Sequence, residues 1–249
     1  MLKNLNALVT GSSKGLGKSI ALMLAEEGAN IAIHYASDKK GAEDTMEKAA
    51  AFGAKTCLLQ ADIGNSNEIS KLIENAIAFF GKIDILVNNA GIFIDKNFFE
   101  ITEEIFDRTI DVNLKGSFLM MQGVAEHMIL KQIKGRIVNI SSALSITGCE
   151  HQPHYAASKA GVNMLTKASA YELAQYGITV NAIMPGTIET NANKDQLSDP
   201  ETAAQILSRT PMKSFGRPEH IAEAVKYFVS QNAEWTTGSI ICIDGGYLA

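Results

Sequence analysis

The sequence predicts an α/β fold on one doubly wound parallel sheet, and three observations predict it. Short apolar runs recur along the chain, helical stretches alternate with them, and a glycine-rich turn joins the first run to the first helix. Near-continuous apolar runs mark strands buried on both faces, which is the condition of a parallel sheet. Strands are expected near 5–10, 30–35, 55–60, 83–88, 136–141, 178–184 and 239–243, with helices over 18–27, 42–51, 68–80, 103–130, 155–176 and 220–229. Right-handed crossovers place those helices on both faces. One domain over 1–249 is expected, because there is no fixed-period repeat, low-complexity tract or linker. A polar segment at 187–218, carrying Pro200 and Pro211 after a strand's carboxyl end, is where a substrate lid would sit.

The elements follow in order. Leu5-Asn6-Ala7-Leu8-Val9 is a short buried strand, followed by Thr10-Gly11-Ser12-Ser13-Lys14-Gly15-Leu16-Gly17 and by the helical pattern of Ile20, Leu22, Met23, Leu24 and Ala25. Glycines permit the turn and close approach of backbone to a ligand, while unpaired N–H groups and the helix dipole attract phosphate. The second strand ends at Tyr35, with Ser37 and Asp38 beyond it. The third runs into Ala61-Asp62-Ile63, where Asp62 before Gly64-Asn65-Ser66 also fits a helix-capping turn. Ile83-Asp84-Ile85-Leu86-Val87 leads to Asn88-Asn89-Ala90-Gly91, residues that equally suit a bare turn. Asn113 lies inside the next helical stretch.

Ile137-Val138-Asn139-Ile140 ends at Ser141 and Ser142, thirteen residues before Tyr155. In His154-Tyr155-Ala156-Ala157-Ser158-Lys159, four-residue spacing sets Tyr155 and Lys159 on one helix face. A phenol normally titrates near ~10; a fixed ammonium beside it lowers that value and makes a usable acid. A surface tyrosine and a solvated lysine would show the same spacing. Val180-Asn181-Ala182-Ile183 then precedes Pro185-Gly186, and a last strand precedes Asp244-Gly245-Gly246.

Composition excludes several function classes. With 249 residues, 46% hydrophobic and 20% charged, the chain has globular composition and length enough for a sizeable core. A net charge of −5 argues against nonspecific nucleic-acid binding and offers no basic face to a membrane. No apolar run reaches the length of a membrane span, and Met1 leads almost at once into the first strand, so a cytoplasmic protein without a leader is expected. Cys57, Cys149 and Cys242 are odd in number and lack metal-ligand spacing. They read as reduced thiols, and no metal is expected.

Taken together, the glycine-rich turn, Asn88-Asn89-Ala90-Gly91, Asn113, Ser142, Tyr155, Lys159 and Pro185-Gly186 resemble, in order and spacing, the classical short-chain dehydrogenase/reductases. The resemblance spans nearly the whole chain and implies a Rossmann fold and hydride transfer with a nicotinamide cofactor. It implies Asn113, Ser142, Tyr155 and Lys159 as the catalytic set, with Ser141 the rival of Ser142. The cofactor residues it implies are Gly11, Ser12, Ser13, Lys14, Gly15, Leu16, Gly17, Tyr35, Ser37, Asp62, Ile63, Asn88, Gly91, Tyr155, Lys159, Pro185, Gly186, Thr187, Ile188 and Thr190. Sites selective for the unphosphorylated cofactor place an acid at the end of the second strand, where this chain has Tyr35. With Lys14 and Ser37 available to a 2′-phosphate, NADP(H) is expected ahead of NAD(H), although Lys14 also fits a solvated charge.

Ser142, Gln152 and Tyr155 are the expected substrate contacts, Gln152 and His154 also reading as polar loop residues. Within the family the chain is most similar to 3-oxoacyl-carrier-protein reductases, through Thr237-Gly238-Ser239-Ile240 and Asp244-Gly245-Gly246. The arginines those reductases use to dock an acidic carrier are replaced by Ile133 and Tyr176, leaving Lys131, Lys134 and Arg136 nearby. The stretch from Pro185 to Lys194, continuing through Leu197 to Glu201, resembles aldose 1-dehydrogenases of the rhamnose and glucose type. A catalytically idle dinucleotide-binding regulator is the alternative of another class, and the complete Asn113, Ser142, Tyr155 and Lys159 set speaks against it. Apolar residues on several sides of 103–130 and 155–176, namely Phe118, Met120, Met121, Met164, Leu165 and Leu173, lead with the resemblance to a homotetramer, the alternative being that they fill the monomer core.

Overall fold

A computed structural model describes residues 2–190 and 193–249. Asn191 and Ala192, part of the stretch that resembles aldose dehydrogenases, and Met1 lie outside the described residues. In chain order the elements are β1 (Asn6–Val9), α1 (Gly15–Glu26), β2 (Asn30–Tyr35), α2 (Lys39–Ala51), β3 (Thr56–Gln60), α3 (Ser66–Phe80) and β4 (Ile85–Asn88). Next come α4 (Glu103–Ile110), α5 (Gly116–Leu130), β5 (Arg136–Ile140), α6 (Leu144–Thr147) and α7 (Pro153–Leu173). The chain closes with β6 (Thr179–Pro185), α8 (Lys194–Ser198), α9 (Pro200–Ser208), α10 (Pro218–Val229) and β7 (Ile240–Ile243).

The seven strands form one parallel sheet in the order β3-β2-β1-β4-β5-β6-β7. Strand order reverses between β1 and β4, and the region beyond their carboxyl ends is the place where open α/β sheets take ligands. Two-residue periodicity divides the core. Ala7, Val9, Ile85 and Val87 point to one face and pack with Ile20 and Leu24 of α1 and Ile221, Val225 and Phe228 of α10. Leu8 and Leu86 point to the other and pack with Leu72 of α3 and Met120, Val124 and Met128 of α5. At about 25 cal/mol per Å² of apolar area removed from water, these two layers supply the main stabilisation of the sheet.

The helix expected over 103–130 is three pieces, because α4 and α5 are joined by a π-helical turn, Asp111–Lys115. Such single-turn bulges cluster at functional sites, and this one carries the fully buried Asn113. The polar segment at 187–218 contains α8 and α9 and is pinched at its base, where Gly216 N donates to Thr187 O at 2.9 Å and Glu189 N to Gly216 O at 2.8 Å. Its far end is tied to the chain's last residues by Met212 N donating to Gly245 O at 3.1 Å.

Candidate active site

The turn after β1 sits at the sheet's switch point and is held from three directions. Gly11 and Gly15 have φ of +63° and +55°, values that favour glycine. A side chain at Gly17 would overlap the Gly11 carbonyl oxygen, so α1 packs against its own turn only with glycine there. Thr10 Oγ1 accepts from the backbone of Asn89 and Ala90 at 2.9 Å each, and Asn89 Nδ2 returns to Thr10 O at 2.9 Å. From β2, buried His34 accepts the Gly11 N–H through Nδ1 at 2.9 Å. Its other nitrogen lies 2.9 Å from Ala61 O. An acceptor at Nδ1 requires the proton on Nε2, so the ring is neutral, and burial pushes its pKa down to about 4. Ser12 is spent inside the fold, donating to Val9 O and accepting from His34 N at 3.0 Å, and Ser13 is buried through its carbonyl's bond to Thr45. The first N–H groups of α1, at Gly15 and Leu16, lack intrahelical partners, and Thr190 lies 3.7 Å from a Cβ built on Gly15.

At the end of β2, Tyr35 is buried and Lys14 and Ser37 are exposed. The nearest acid in sequence, Asp38, caps α2 by accepting from Gly41 N at 3.0 Å. The strand end itself thus carries Tyr35, and Asp38 is turned to the start of α2. Asp62 accepts from Gly64 N at 2.8 Å and from Arg108 of α4 at 2.9 Å. The Arg108 guanidinium holds its carboxyl below the usual range, and the cap of α3 is Asn65, which accepts from Asn67 N, so Asp62 makes a local turn and an ion pair and does not cap the helix. Asn88 is buried, with its amide donating to Ser117 O at 3.2 Å and to Asn139 Oδ1 at 3.0 Å, so its side chain braces the sheet. Ile63 and Ile188 are buried, and Pro185 and Gly186 close on β7, where Gly186 N donates to Ile243 O at 3.0 Å.

Ser142, Tyr155, Lys159, Asn113 and Gly91 converge at the ends of β4, β5 and α7. The Ser142 hydroxyl, which accepts from Leu144 N at 3.2 Å, acts on the Tyr155 phenol by favouring its ionised form. Ser141 faces the other way and donates to Lys159 O at 3.0 Å, fixing α7 to β5. Lys159 Nζ donates to Ile140 O at 2.8 Å and lies 5.8 Å from the centre of the Tyr155 ring. A Cβ built on Gly91 would stand 3.2 Å from Asn113 Oδ1 and 3.6 Å from Lys159 Nζ, so glycine keeps these two groups within reach of one another. Asn113 is itself clamped to the β4 loop, accepting from Ile92 N at 2.8 Å and donating to Ile92 O at 2.9 Å and Ser158 Oγ at 3.2 Å.

The expected lowering of the Tyr155 pKa is not found in the bare protein. Burial pushes the phenol up to about 12, and the Ser142 hydroxyl opposes that shift without cancelling it. Burial also pushes Lys159 down to about 8. At neutral pH the phenol therefore holds its proton beside a charged ammonium.

Sequence reasoning passed over Thr10, His34, Asn89, Phe93 and Asp95. The Phe93 ring meets the Tyr155 ring edge-on, with centroids 5.0 Å apart. Gln152 is buried, donates to Asp95 Oδ2 at 3.2 Å and accepts from Cys149 Sγ at 3.3 Å, while His154 is buried with neither ring nitrogen bonded. Asp95 and Phe93 carried no signal, because the loop after β4 has no periodicity. Among the described residues no cluster of His, Cys, Asp or Glu is suited to a metal, and the three cysteines are free.

Known proteins match this arrangement over its whole length. A family model described as enoyl-(acyl carrier protein) reductase matches residues 11–248. A 3-oxoacyl-(acyl-carrier-protein) reductase of Staphylococcus epidermidis is 44% identical, the match covering 98% of each chain. Glucose 1-dehydrogenase 2 of Bacillus subtilis is 39% identical over 96% of this chain and 93% of its own. A crystal structure of a short chain dehydrogenase from Burkholderia cenocepacia in complex with NADP superposes with a TM-score of 0.93 at 33% identity, covering 100% of this chain and 99% of that one. The chain therefore belongs to the short-chain dehydrogenase/reductase family, and it is an NAD(P)-dependent oxidoreductase that interconverts alcohol and carbonyl groups.

Proposed function

We propose that the protein reduces a 3-oxoacyl thioester to the 3-hydroxyacyl form with NADP(H). The convergence of Ser142, Tyr155 and Lys159 beside the glycine-rich turn carries this reading. The 44% identity to a 3-oxoacyl-(acyl-carrier-protein) reductase supports the substrate, and the NADP held by the Burkholderia neighbour supports the cofactor. The cofactor's diphosphate would be held by the backbone at Gly11 to Gly17 and the N-terminus of α1, its 2′-phosphate by Lys14 and Ser37, and its nicotinamide end by Lys159, Pro185 to Ile188 and Thr190. When bound, it supplies hydride. Tyr155 gives its proton to the carbonyl oxygen, and Ser142 donates a hydrogen bond to the same oxygen. Lys159 stabilises the phenolate that remains, and Asn113 keeps the β4 loop and a proton path against Lys159. Gln152 contacts the substrate beyond the reacting carbon. The reverse reaction uses the same groups in reverse order.

The polar pair of Asp95 and Gln152 beside Tyr155 favours a second reading, an aldose 1-dehydrogenase, which needs partners for ring hydroxyls. Lys131 and Lys134 are exposed, but Arg136 is half-buried and turned to the backbone of Lys134 and Gly135, which leaves a thin basic face for an acidic carrier. We further place the protein in the cytoplasm, with 187–218 as a substrate lid on a single domain. No helix among the described residues is long and apolar enough to cross a membrane.

Cofactor absorbance followed over acetoacetyl thioesters, simple ketones and aldoses tests the function. Fastest NADPH oxidation with the thioester is expected. Turnover of aldoses alone would select the second reading, and binding of cofactor with no turnover at all would select an idle regulator.

A further inference from the structure

We propose that Asp95 is a positioning residue for substrate selection: it holds the Gln152 carboxamide so that this group meets a neutral hydrogen-bonding substituent next to the reacting carbon. The proposal rests on reading Gln152 as a substrate contact. Gln152 stands three residues before Tyr155, at the N-terminal edge of α7, and is 8% exposed. A carboxamide placed there could present either end, and its neighbours decide which. The Asp95 carboxylate only accepts, so it takes an N–H at 3.2 Å. The Cys149 thiol donates to the Gln152 oxygen at 3.3 Å, and burial keeps that thiol protonated. A carboxamide offers two N–H donors and two acceptor positions. One of each is used, which leaves one N–H and one lone pair in a fixed orientation.

The loop that carries Asp95 also shapes the rest of the mouth. Lys96 N donates to His151 O at 3.0 Å, tying the β4 loop to the segment before α7. On the same loop Phe93 lays its ring edge-on to Tyr155, at 5.0 Å and 77°. The group that releases a proton and the group that grips the neighbouring substituent are thus held by one loop, with a polar hand on one side and an apolar wall on the other. Asp95 is exposed and anionic, so a carboxylate substituent is disfavoured by like charge, while a carbonyl or hydroxyl is accepted. The selected class is a ketone with an uncharged oxygen substituent close to the reacting carbon, as in a 3-oxoacyl thioester. A simple ketone gains nothing from the fixed carboxamide.

The test compares Asp95→Ala, Asp95→Asn, Gln152→Ala and the double variant Asp95→Ala/Gln152→Ala on two substrates, an acetoacetyl thioester and cyclohexanone, with kcat and KM measured separately. Asp95→Ala should lower kcat/KM for the thioester about tenfold more than for cyclohexanone, mostly through KM, as expected for one misdirected hydrogen bond. Asp95→Asn keeps an acceptor oxygen and should recover most of that selectivity. The double variant should be no more impaired than Gln152→Ala, since both act through one carboxamide. Equal loss on the two substrates, or additive losses in the double variant, would overturn the assignment and leave Asp95 as a loop support. If Asp95→Ala does not fold, Asp95→Ser carries the same comparison with the same outcomes. Failure of the wild type on both ketones would overturn the carbonyl-reductase reading, which is a separate result from equal loss in an active enzyme.

Discussion

At Tyr155 the protein sets two opposed forces on one oxygen: burial raises the phenol to about 12, and the Ser142 hydroxyl stabilises its ionised form. A proton held that firmly is available to a carbonyl oxygen only as negative charge develops there, which is the condition of a general acid. Tyr155→Phe keeps the ring and its contact with Phe93 and removes only the transferable proton. Turnover should fall by on the order of 10²–10⁴ with cofactor binding retained; a purified variant with a tenth of wild-type turnover would contradict the assignment. Ser142→Ala should also cripple turnover. Ser141→Ala should chiefly cost stability, about 1 kcal/mol for the bond to the Lys159 carbonyl. The thirteen-residue spacing put Ser142 ahead of Ser141 for the role beside Tyr155. What Ser141 does instead was not legible, because its partner is a backbone atom eighteen residues away. Cofactor choice is also decided by single residues. With Tyr35 at the end of β2 and Asp38 spent on its cap, NADPH should bind at least about tenfold more tightly than NADH, a difference of about 1.4 kcal/mol. Tyr35→Asp should narrow or reverse that ratio in a fluorescence titration, and tighter NADH binding by the wild type would refute the basis of the preference.

Among the elements, the glycine-rich turn is the one whose outline the sequence showed and whose support it did not. Glycines between an apolar run and an amphipathic helix are visible in a local window. The clamp is not, since Thr10 reaches Asn89 79 positions away and Gly11 reaches His34 across 23. The helix expected over 103–130 failed in the same way. Periodicity reports a helix, but the extra residue of the π turn that sets Asn113 against Ile92 leaves no compositional mark. His34 gives this element a testable dependence on acid. Its folded-state pKa of about 4 lies below the ordinary imidazole value, so the folded state disfavours proton binding relative to the unfolded chain. The stability tied to the neutral ring is complete above about pH 6.5 and is lost as pH falls through about 4, a change on the order of 3 kcal/mol. Urea unfolding of wild type and His34→Gln at pH 7 and pH 4.5 checks this. The variant should start less stable and lose less on acidification; parallel losses would remove His34 from the account.

Over the whole molecule, strand positions and the order of motifs were readable because a sheet buried on both faces forces continuous apolar runs, and because the glycine-rich turn, Asn88 to Gly91, Ser142 and Pro185-Gly186 each lie at or just beyond a strand's carboxyl end. The helix surfaces were harder to assign. Of the residues named from sequence, Met120 and Met121 are in the core and Leu165 and Leu173 are packed against it, so an apolar residue on a helix does not reveal which neighbour covers it. Phe118 and Met164 remain exposed, joined by Leu130 and Tyr171. Phe118 and Leu130 line a groove between α5 and α7 together with Met121, Ile129 and Leu173, and Phe118 and Met164 line a second hollow with Leu114 and Leu165. Contiguous exposed apolar surface of this kind marks an association site. Our reading is that two copies pair α5 and α7 about a two-fold axis and that β7, the free edge of the sheet, makes a second contact, giving a tetramer. Because α7 carries Tyr155 and Lys159, the first pairing would also stiffen the catalytic helix. Light scattering on active enzyme should give a mass near four times the 26.8 kDa of one chain. Met164→Glu sets a charge in the hollow beside Leu165 and should split the assembly while lowering turnover, whereas a wild type that is monomeric at full activity would falsify the pairing.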